Sequence, residues 1–259
     1  MTASHTAYFR QHSPTRFEAT QATAGAWNTA EQHIAPVIGL LAHLIEQDHG
    51  GRGGRLRLAS LSCDILGVLP IGEFDVEVTV LRPGRTIELV EAVLTSNGRT
   101  GVRARAWMLQ TADTSAIEGT SFPEMPDIEA TPAFPFGETW NGACVKTIEA
   151  RREYVCPGRA RSWIRTSTPL IDGVETSTQA RMIGMLDFAN GMVPRADPSE
   201  VGFPNVDLNV SLFRAPSGSW LGLDSTVSFG SDAIGQTESV VHDEHGPVGT
   251  LTQTLTIRL

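Results

Sequence analysis

Cysteine is scarce in this sequence, and histidine forms no cluster. The three cysteines, Cys63, Cys144 and Cys156, lie far apart and show no C-x-x-C spacing of the kind that zinc sites and redox motifs use. They are therefore predicted to be free thiols instead of a disulfide framework or a set of metal ligands. Seven histidines give neither an H-E-x-x-H nor an H-x-H motif, so we expect no catalytic metal and assign no cofactor.

Long hydrophobic runs are also absent. The longest, from Ile34 to Ile45, has 12 residues and contains His43, whereas a helix that crosses a membrane needs about 20 apolar residues. The first ten residues, MTASHTAYFR, have neither the basic start nor the apolar core of a secretory signal. We therefore expect a cytoplasmic protein without membrane insertion.

Basic side chains are outnumbered by acidic ones. The chain has 20 Lys and Arg against 29 Asp and Glu, which gives a formal net charge of -9. This balance argues against nucleic acid as a partner, because such proteins usually present a basic surface. The apolar fraction of 41% is enough for a core, and 259 residues fit one large domain or two of about 110 to 130 residues. These properties leave a homo-oligomer open.

The chain contains an internal repeat. Residues Ser96–Leu109 align with Glu244–Ile257 at a spacing of 148, and two glycines coincide in each segment. A second match places Gly39 over Gly184 at a spacing of 145, inside two similar apolar segments. One short insertion accounts for the difference between the two spacings, so we infer two copies of one structural unit.

Both copies show the same predicted order of elements: a strand, a helix, and then several strands joined by short turns. The first helix is predicted at Ala35–Gln47 and the second at Thr176–Val193, where Thr176 and Gln179 form a capping-box pattern. The predicted strands lie near 15–25, 56–65, 74–83, 86–96 and 101–110 in the first copy and near 161–168, 206–213, 220–229, 236–242 and 248–258 in the second.

This order predicts an α+β fold of two tandem units, each a curved antiparallel sheet wrapped around one long helix. It excludes a doubly wound fold, which needs a helix at nearly every crossover. The two sheets are expected to join into one, which removes exposed sheet edges. We place the N-terminal unit at residues 1–110, a linker rich in Pro, Ser, Thr and acidic residues at 111–140, and the C-terminal unit, with the candidate site, at 141–259.

Asp187 is the first candidate site residue, because it lies within the largely apolar stretch GMLDFANGM. Helical spacing puts it on one face with Gly184, Asn190 and Gly191, where a thin ligand can approach closely. The aligned residue of the first copy is Ala42, so the carboxylate belongs to one copy alone. The alternative is an aspartate at a solvent-facing edge or capping a neighbouring turn.

Gln253 is the second candidate. Strand alternation in GTLTQTLTIRL puts it on the apolar face between Leu251 and Leu255, and its predicted counterpart in the first copy is Arg105. A buried amide without hydrogen-bond partners costs about 1 to 3 kcal/mol. The alternative to a functional role is a glutamine whose partner is a nearby backbone group.

These features resemble the acyl-CoA thioesterase II and thioesterase-like superfamily, whose fold is a double hot-dog. The resemblance rests on the duplicated helix-and-sheet unit, on Asp187 in the second helix, and on the segments PNVDLNVSLFRAP and LTQTLTI. It covers most of the chain. It implies acyl-CoA as the substrate and hydrolysis to a free acid and coenzyme A as the reaction.

The resemblance also implies a set of catalytic residues. In that family an Asp, a Thr and a Gln of the second hot-dog hold and activate the hydrolytic water, and by position these fall on Asp187, Asn205 and Gln253. Asn205 stands where the family has Thr. Alternation leaves Asp207 on the same face as Asn205, so Asp207 is a competing candidate.

This chemistry needs a general base for water and donors for the developing oxyanion. Asp187 is assigned as the base, with its pKa raised by partial burial, and the absence of a G-x-S-x-G motif argues against a serine hydrolase. If the two helices pack antiparallel, the start of the first helix, His33 to Pro36, supplies the backbone donors. His33 itself is interpreted as a surface histidine.

Coenzyme A carries phosphates, which arginine binds well. Arg151 and Arg152 open a basic stretch in an otherwise acidic chain and are assigned to these phosphates, with a solvated strand edge as the alternative. A non-catalytic acyl-CoA or lipid-acyl binding protein of the same fold is the alternative function. A hot-dog hydratase ranks last, because the chain has no D-x-x-x-x-H stretch at a helix start.

Overall fold

The computed structural model describes residues 7–259. The prediction that no secretory signal opens the chain depends partly on residues 1–6, which lie outside the described residues, as does the start of the first predicted unit. Of the helices between residues 7 and 259, none is both long enough and apolar enough to span a membrane.

The described residues form twelve strands and five α-helices. The helices are α1 (Ile34–Gly51), α2 (Phe136–Thr139), α3 (Ala143–Lys146), α4 (Thr178–Ile183) and α5 (Ala189–Met192). The strands of the first half are β1 (Phe9–Gln11), β2 (Arg16–Ala19), β3 (Arg57–Ile65), β4 (Glu73–Arg82), β5 (Ile87–Ser96) and β6 (Arg99–Leu109). Those of the second half are β7 (Ile148–Cys156), β8 (Arg159–Thr166), β9 (Asp207–Leu212), β10 (Leu221–Phe229), β11 (Ile234–Asp243) and β12 (Gly246–Thr256).

All twelve strands belong to one sheet, in the order β1-β2-β4-β5-β6-β3-β9-β12-β11-β10-β8-β7. The second half of this order repeats the first half in mirror sequence, so the two copies meet at β3 and β9. These two strands pair antiparallel, with Leu61 opposite Val210. The predicted α+β class, two antiparallel units joined into one sheet, is confirmed.

The helices of the two units touch at the two glycines that the repeat aligned. A Cβ atom on Gly39 would lie 2.9 Å from the Gly184 Cα, and one on Gly184 would lie 3.1 Å from the Gly39 Cα. Any side chain at either position would therefore separate the backbones. This contact brings the start of α1 towards the segment that follows α4.

The second helix is not continuous, and this part of the prediction was wrong. It begins at Thr178, and its N-cap is Ser177, whose hydroxyl oxygen accepts the Ala180 N–H, instead of the predicted Thr176. Helix α4 then ends at Ile183, a single 3-10 turn follows at Leu186–Phe188, and α5 comes after it. The break begins at Gly184, where the chain packs directly against α1.

The predicted counterpart of Gln253 was also wrong, by one residue. Both hairpins contain a β-bulge, which leaves Gly101 unpaired in β6 and Val248 unpaired in β12. Equating the two bulges aligns Gln253 with Ala106, which is fully buried, whereas Arg105 is exposed on the opposite face. The glycine match misled because glycines occupy different positions relative to the two bulges.

The segment predicted as a linker is ordered at its end. Phe136 and Trp140 are buried in the main hydrophobic core, and Trp140 Nε1 donates to the Gly191 carbonyl oxygen at 3.0 Å. Further back, the Pro126 carbonyl accepts a hydrogen bond from Trp163. The division at residues 110 and 140 remains a prediction.

We expect Gly39→Ala to destabilise the protein by about 1 to 3 kcal/mol, because the added methyl group meets backbone atoms that cannot rotate away. Urea unfolding followed by circular dichroism measures this. Gly50→Ala in the same helix is the matched control, since its Cβ meets nothing within 4 Å. The control should be neutral or stabilising by up to about 1 kcal/mol, and equal losses in the two variants would contradict the helix crossing.

Candidate active site

Asp187 lies in the 3-10 turn between α4 and α5 and is only 4% exposed. This burial contradicts the alternative of an aspartate at a solvent-facing edge. The residues around it from Met182 to Val193 are also buried, so the whole segment runs through the interior. A carboxylate in such a place needs hydrogen-bond partners.

The partners are the two amides that the resemblance singled out. Asp187 Oδ1 accepts a hydrogen bond from Asn205 Nδ2 at 2.8 Å and another from Gln253 Nε2 at 3.3 Å. Asn205 precedes β9 and Gln253 lies in the middle of β12, so three separate segments meet at one oxygen atom. The structure therefore brings all three predicted site residues together, although it does not test their roles.

The second oxygen of Asp187 faces the first unit. Its Oδ2 lies 3.3 Å from Nδ1 of His33, the residue that caps α1. His33 Nδ1 also accepts the Ala35 N–H at 3.1 Å, and burial lowers the pKa of His33 to about 4, so the ring is neutral with its proton on Nε2. The contact is therefore a hydrogen bond only when Asp187 carries a proton.

Asp207, the competing carboxylate, is used elsewhere. Its Oδ1 accepts the Thr254 N–H at 2.6 Å and its Oδ2 accepts the Thr254 hydroxyl at 3.1 Å. The side chains of Asn205 and Asp207 therefore do not share a partner, although the Asn205 amide also donates to the Asp207 carbonyl oxygen at 3.0 Å. Asn205 reaches inwards because it precedes the regular part of β9, which begins at Asp207.

Burial raises the pKa of Asp187 to about 7, and the hydrogen bonds from Asn205 and Gln253 moderate the rise. Two thiols lie in the same buried region. Burial, together with the charge of Asp187, raises the pKa of both Cys63 and Cys144. These thiols stay protonated near neutral pH, so the groups around Asp187 bring no compensating charge.

A pocket with a volume of about 460 Å³ opens beside Asp187. This volume lies within the usual range for small-molecule sites, roughly 300 to 1,000 Å³. The wall combines the start of α1, the loop after β3 and the segment before β9, so both units contribute to it. Among the lining residues are Trp27, His33, Ile34, Leu66, Asp187, Asn190, Asn205 and Arg258.

At the start of α1 one backbone amide of a pocket-lining residue has no acceptor among the described residues. The His33 N–H donates to Thr23, the Ala35 N–H donates to His33, and Pro36 has no N–H. Within the described part of the chain this leaves the Ile34 N–H without an acceptor in the first turn, and Ile34 lines the pocket. The positive end of the helix dipole adds to its attraction for an anion.

The two arginines assigned to phosphates have other contacts. Arg151 donates to the Thr131 carbonyl and pairs with Glu129, and Arg152 donates to the Met192 carbonyl and lies over the Phe134 ring. Neither is among the residues from 7 to 259 that line the pocket. Their assignment to coenzyme A remains a prediction.

The interpretation of His33 as a surface residue was wrong, since its side chain is 13% exposed and contacts Asp187. One signal was present in the sequence: a histidine directly before a helix start that was itself expected to approach Asp187. No comparable signal pointed to Trp27 or Arg258, because they reach the pocket from distant loops and chain ends.

Family models match both halves of the chain. One described as the acyl-CoA thioesterase N-terminal domain matches residues 23–109, and one described as the acyl-CoA thioesterase C-terminal domain matches residues 119–257. No curated protein sequence matches the chain.

Solved structures show the same architecture. The acyl-CoA thioesterase II TesB2 from Mycobacterium marinum matches with a TM-score of 0.69 and 14% identity, over 100% of this chain and 97% of that chain. The tesB protein of Mycobacterium avium subs paratuberculosis gives 0.67 and 17%, over 97% and 96%. A hot-dog protein from Alicyclobacillus acidocaldarius gives 0.75 and 14%, over 100% and 99%. At these identities the likeness shows the fold alone.

The raised pKa of Asp187 predicts a cost to stability above neutral pH. The folded protein binds this proton more tightly than the unfolded chain, so stability falls as pH rises from about 4 towards 7. Asp187→Asn removes this dependence and should gain on the order of 2 kcal/mol relative to the wild type between pH 5 and pH 8. Urea unfolding at both pH values measures the gain, and a constant difference between the two proteins would contradict it.

Proposed function

Because the chain belongs to the acyl-CoA thioesterase family, we propose that it hydrolyses acyl-CoA to a free acid and coenzyme A. The observation that carries this proposal is the position of Asp187. One of its oxygen atoms is held by two amides, the other lies 3.3 Å from His33 Nδ1, and the residue lines a pocket at a helix N-terminus. Thioester hydrolysis needs these elements: a base for water, space for an acyl thioester, and a donor for the oxyanion.

Asp187 acts as the general base. Its Oδ2 accepts a proton from the attacking water, and its pKa of about 7 suits proton abstraction near neutral pH. The amide oxygen of Asn205, which also lines the pocket, accepts the second hydrogen of that water. The family's Thr would offer one hydroxyl at this position, whereas Asn205 both donates to Asp187 and presents an acceptor.

Gln253 acts through Asp187. Its Nε2 contacts the carboxylate, but the residue is not among the described residues that line the pocket. We therefore assign it to holding the base in place, whereas the resemblance assigns it to the water.

The Ile34 N–H stabilises the oxyanion. Attack of water on the thioester carbon places negative charge on the carbonyl oxygen, and this amide at the start of α1 has no partner within residues 7–259. Collapse of the tetrahedral intermediate breaks the C–S bond and releases the thiol, with the proton taken up by Asp187 available to the leaving sulfur. Because the His33 ring is neutral, it places no positive charge beside Asp187 and does not lower the basicity of the carboxylate.

Arg258 is the arginine among the described residues that line the pocket, and it is exposed. We assign it to a phosphate of coenzyme A, whose negative charges would otherwise meet an acidic protein of net charge -9.

Asp187→Asn is expected to reduce kcat for acyl-CoA hydrolysis by roughly 10²- to 10⁴-fold, because an amide cannot accept the proton from water. Thiol release from a panel of acyl-CoAs of different chain length measures this. In the wild type, kcat should rise with pH through a midpoint near 7, since Asp187 must be ionised.

Asp207→Asn is the matched control, because it removes the neighbouring carboxylate that contacts Thr254 instead. It should keep the activity within a few-fold of the wild type. A loss confined to Asp207→Asn would reassign the base. Tight acyl-CoA binding by the wild type without any thiol release would favour the acyl-binding alternative.

Arg258→Gln is expected to raise KM for an acyl-CoA several-fold and to leave KM for the corresponding acyl-pantetheine unchanged, since only coenzyme A carries the phosphates. Arg152→Gln provides the comparison, because Arg152 also carries a guanidinium but lies outside the pocket lining. If Arg152→Gln alone showed the coenzyme A-specific effect, the phosphates would belong to the basic stretch on β7.

A further inference from the structure

The duplication provides an internal reference for the second unit. Its sheet carries polar side chains on the inner face at four positions where the first unit carries apolar ones. The hairpin registers align these positions one to one. The pairs are Val78 and Ser225, Val90 and Thr237, Ala92 and Ser239, and Ala106 and Gln253.

These polar groups are almost completely buried. Ser225, Thr237, Ser239 and Gln253 are each at most 1% exposed. Ser225 and Ser239 satisfy each other through a hydrogen bond of 2.7 Å between their hydroxyl oxygens. Within residues 7–259, however, Thr237 Oγ1 and Gln253 Oε1 have no hydrogen-bond partner.

The two atoms without partners belong to residues that face each other directly. Thr237 and Gln253 are paired across β11 and β12, and both side chains point to the inner face. Cβ atoms of directly opposite residues are about 4.5 to 5.5 Å apart, which is within reach of a hydroxyl and a longer amide. The structure shows no hydrogen bond between the two groups, and a rotation of the Thr237 side chain about χ1 would redirect its hydroxyl without moving the amide.

The orientation of the Gln253 amide leaves its oxygen atom in need of a donor. Its Nε2 must face Asp187 to donate, so Oε1 points away and needs a donor of its own. A reversed amide would present oxygen to the carboxylate and repel it. We propose that Thr237 is a positioning residue: in a second rotamer of its side chain the hydroxyl donates to Gln253 Oε1 and holds the amide with Nε2 towards Asp187.

This inference rests on the proposed function only where activity is measured. The contact between Thr237 and Gln253 also changes the pKa of Asp187, which can be measured without turnover. The other titratable groups that face Asp187 are His33 from α1, Cys63 from β3 and Cys144 from α3. All three are neutral around pH 7, because burial lowers the pKa of His33 and raises those of the thiols. A change in titration near pH 7 therefore reports the carboxyl group and its donors.

The decisive variant is Thr237→Val, which keeps the shape of the side chain and removes the hydroxyl. It should lower kcat about five- to twenty-fold with KM changed less than two-fold, and move the acid limb of the kcat profile upwards by about half a pH unit. The limb moves because a loosened amide donates less to the ionised carboxylate. Thr237→Ser keeps the hydroxyl and should restore both values.

A double-mutant cycle separates positioning from general destabilisation. In a Gln253→Leu background the Thr237→Val change should have little further effect on kcat, since the amide it positions is gone. Ser239→Ala is the control, because it removes an inner-face hydroxyl of the same strand whose partner is Ser225. It should lower stability without moving the acid limb, whereas additive losses in the cycle or an equal shift in Ser239→Ala would overturn the proposal.

A second readout does not need enzymatic turnover. The pKa of Asp187 can be measured by NMR from the chemical shift of its carboxyl carbon as a function of pH. Among wild type, Thr237→Val and Thr237→Ser, only the valine variant should show a higher pKa. A protein without thioesterase activity that still shows this shift would refute the proposed function and keep the positioning role. Coincident titrations in the three proteins would reject the role of Thr237 regardless of activity.

Discussion

The backbone contact between Gly39 and Gly184 controls the geometry of the site. Because neither residue has a side chain, the helices of the two units approach until a Cβ atom would lie about 3 Å from the facing Cα. The start of α1 can then reach the turn that holds Asp187. The candidate site is consequently shared: His33 and Ile34 come from the first unit, and the carboxylate comes from the second.

Removal from water makes the Asp187 carboxylate a stronger base. Burial raises the pKa of Asp187 to about 7, and two amide donors keep the charged form accessible instead of forcing permanent protonation. Neither extreme would serve hydrolysis, since a fully solvated aspartate is a weak base and a carboxyl group without donors would stay neutral. The same burial predicts that the site reduces stability at alkaline pH.

The two halves use one fold for different purposes. At equivalent positions the first unit has Val90 and Ala106 where the second has Thr237 and Gln253, and it has Ala42 aligned with Asp187. The first unit therefore contributes a helix end and pocket walls, while the second contributes the polar cluster. Such a division explains how a nearly symmetric sheet supports a single site.

Hydrophobic periodicity and the internal repeat determined the fold class, ten of the twelve strands and the inward face of Gln253, because these depend on local spacing along the chain. Strands β1 and β7 were not predicted. The sequence also marked Asp187 as a candidate, since a lone carboxylate within an apolar segment is seldom buried without a partner. Only the tertiary structure decided the break after Ile183, the pairing of Gln253 with Ala106, and the contact between His33 and Asp187. Each of these depends on which backbones approach one another in space, and a bulge or a glycine contact that shifts the register by one residue leaves no periodic signal in the sequence.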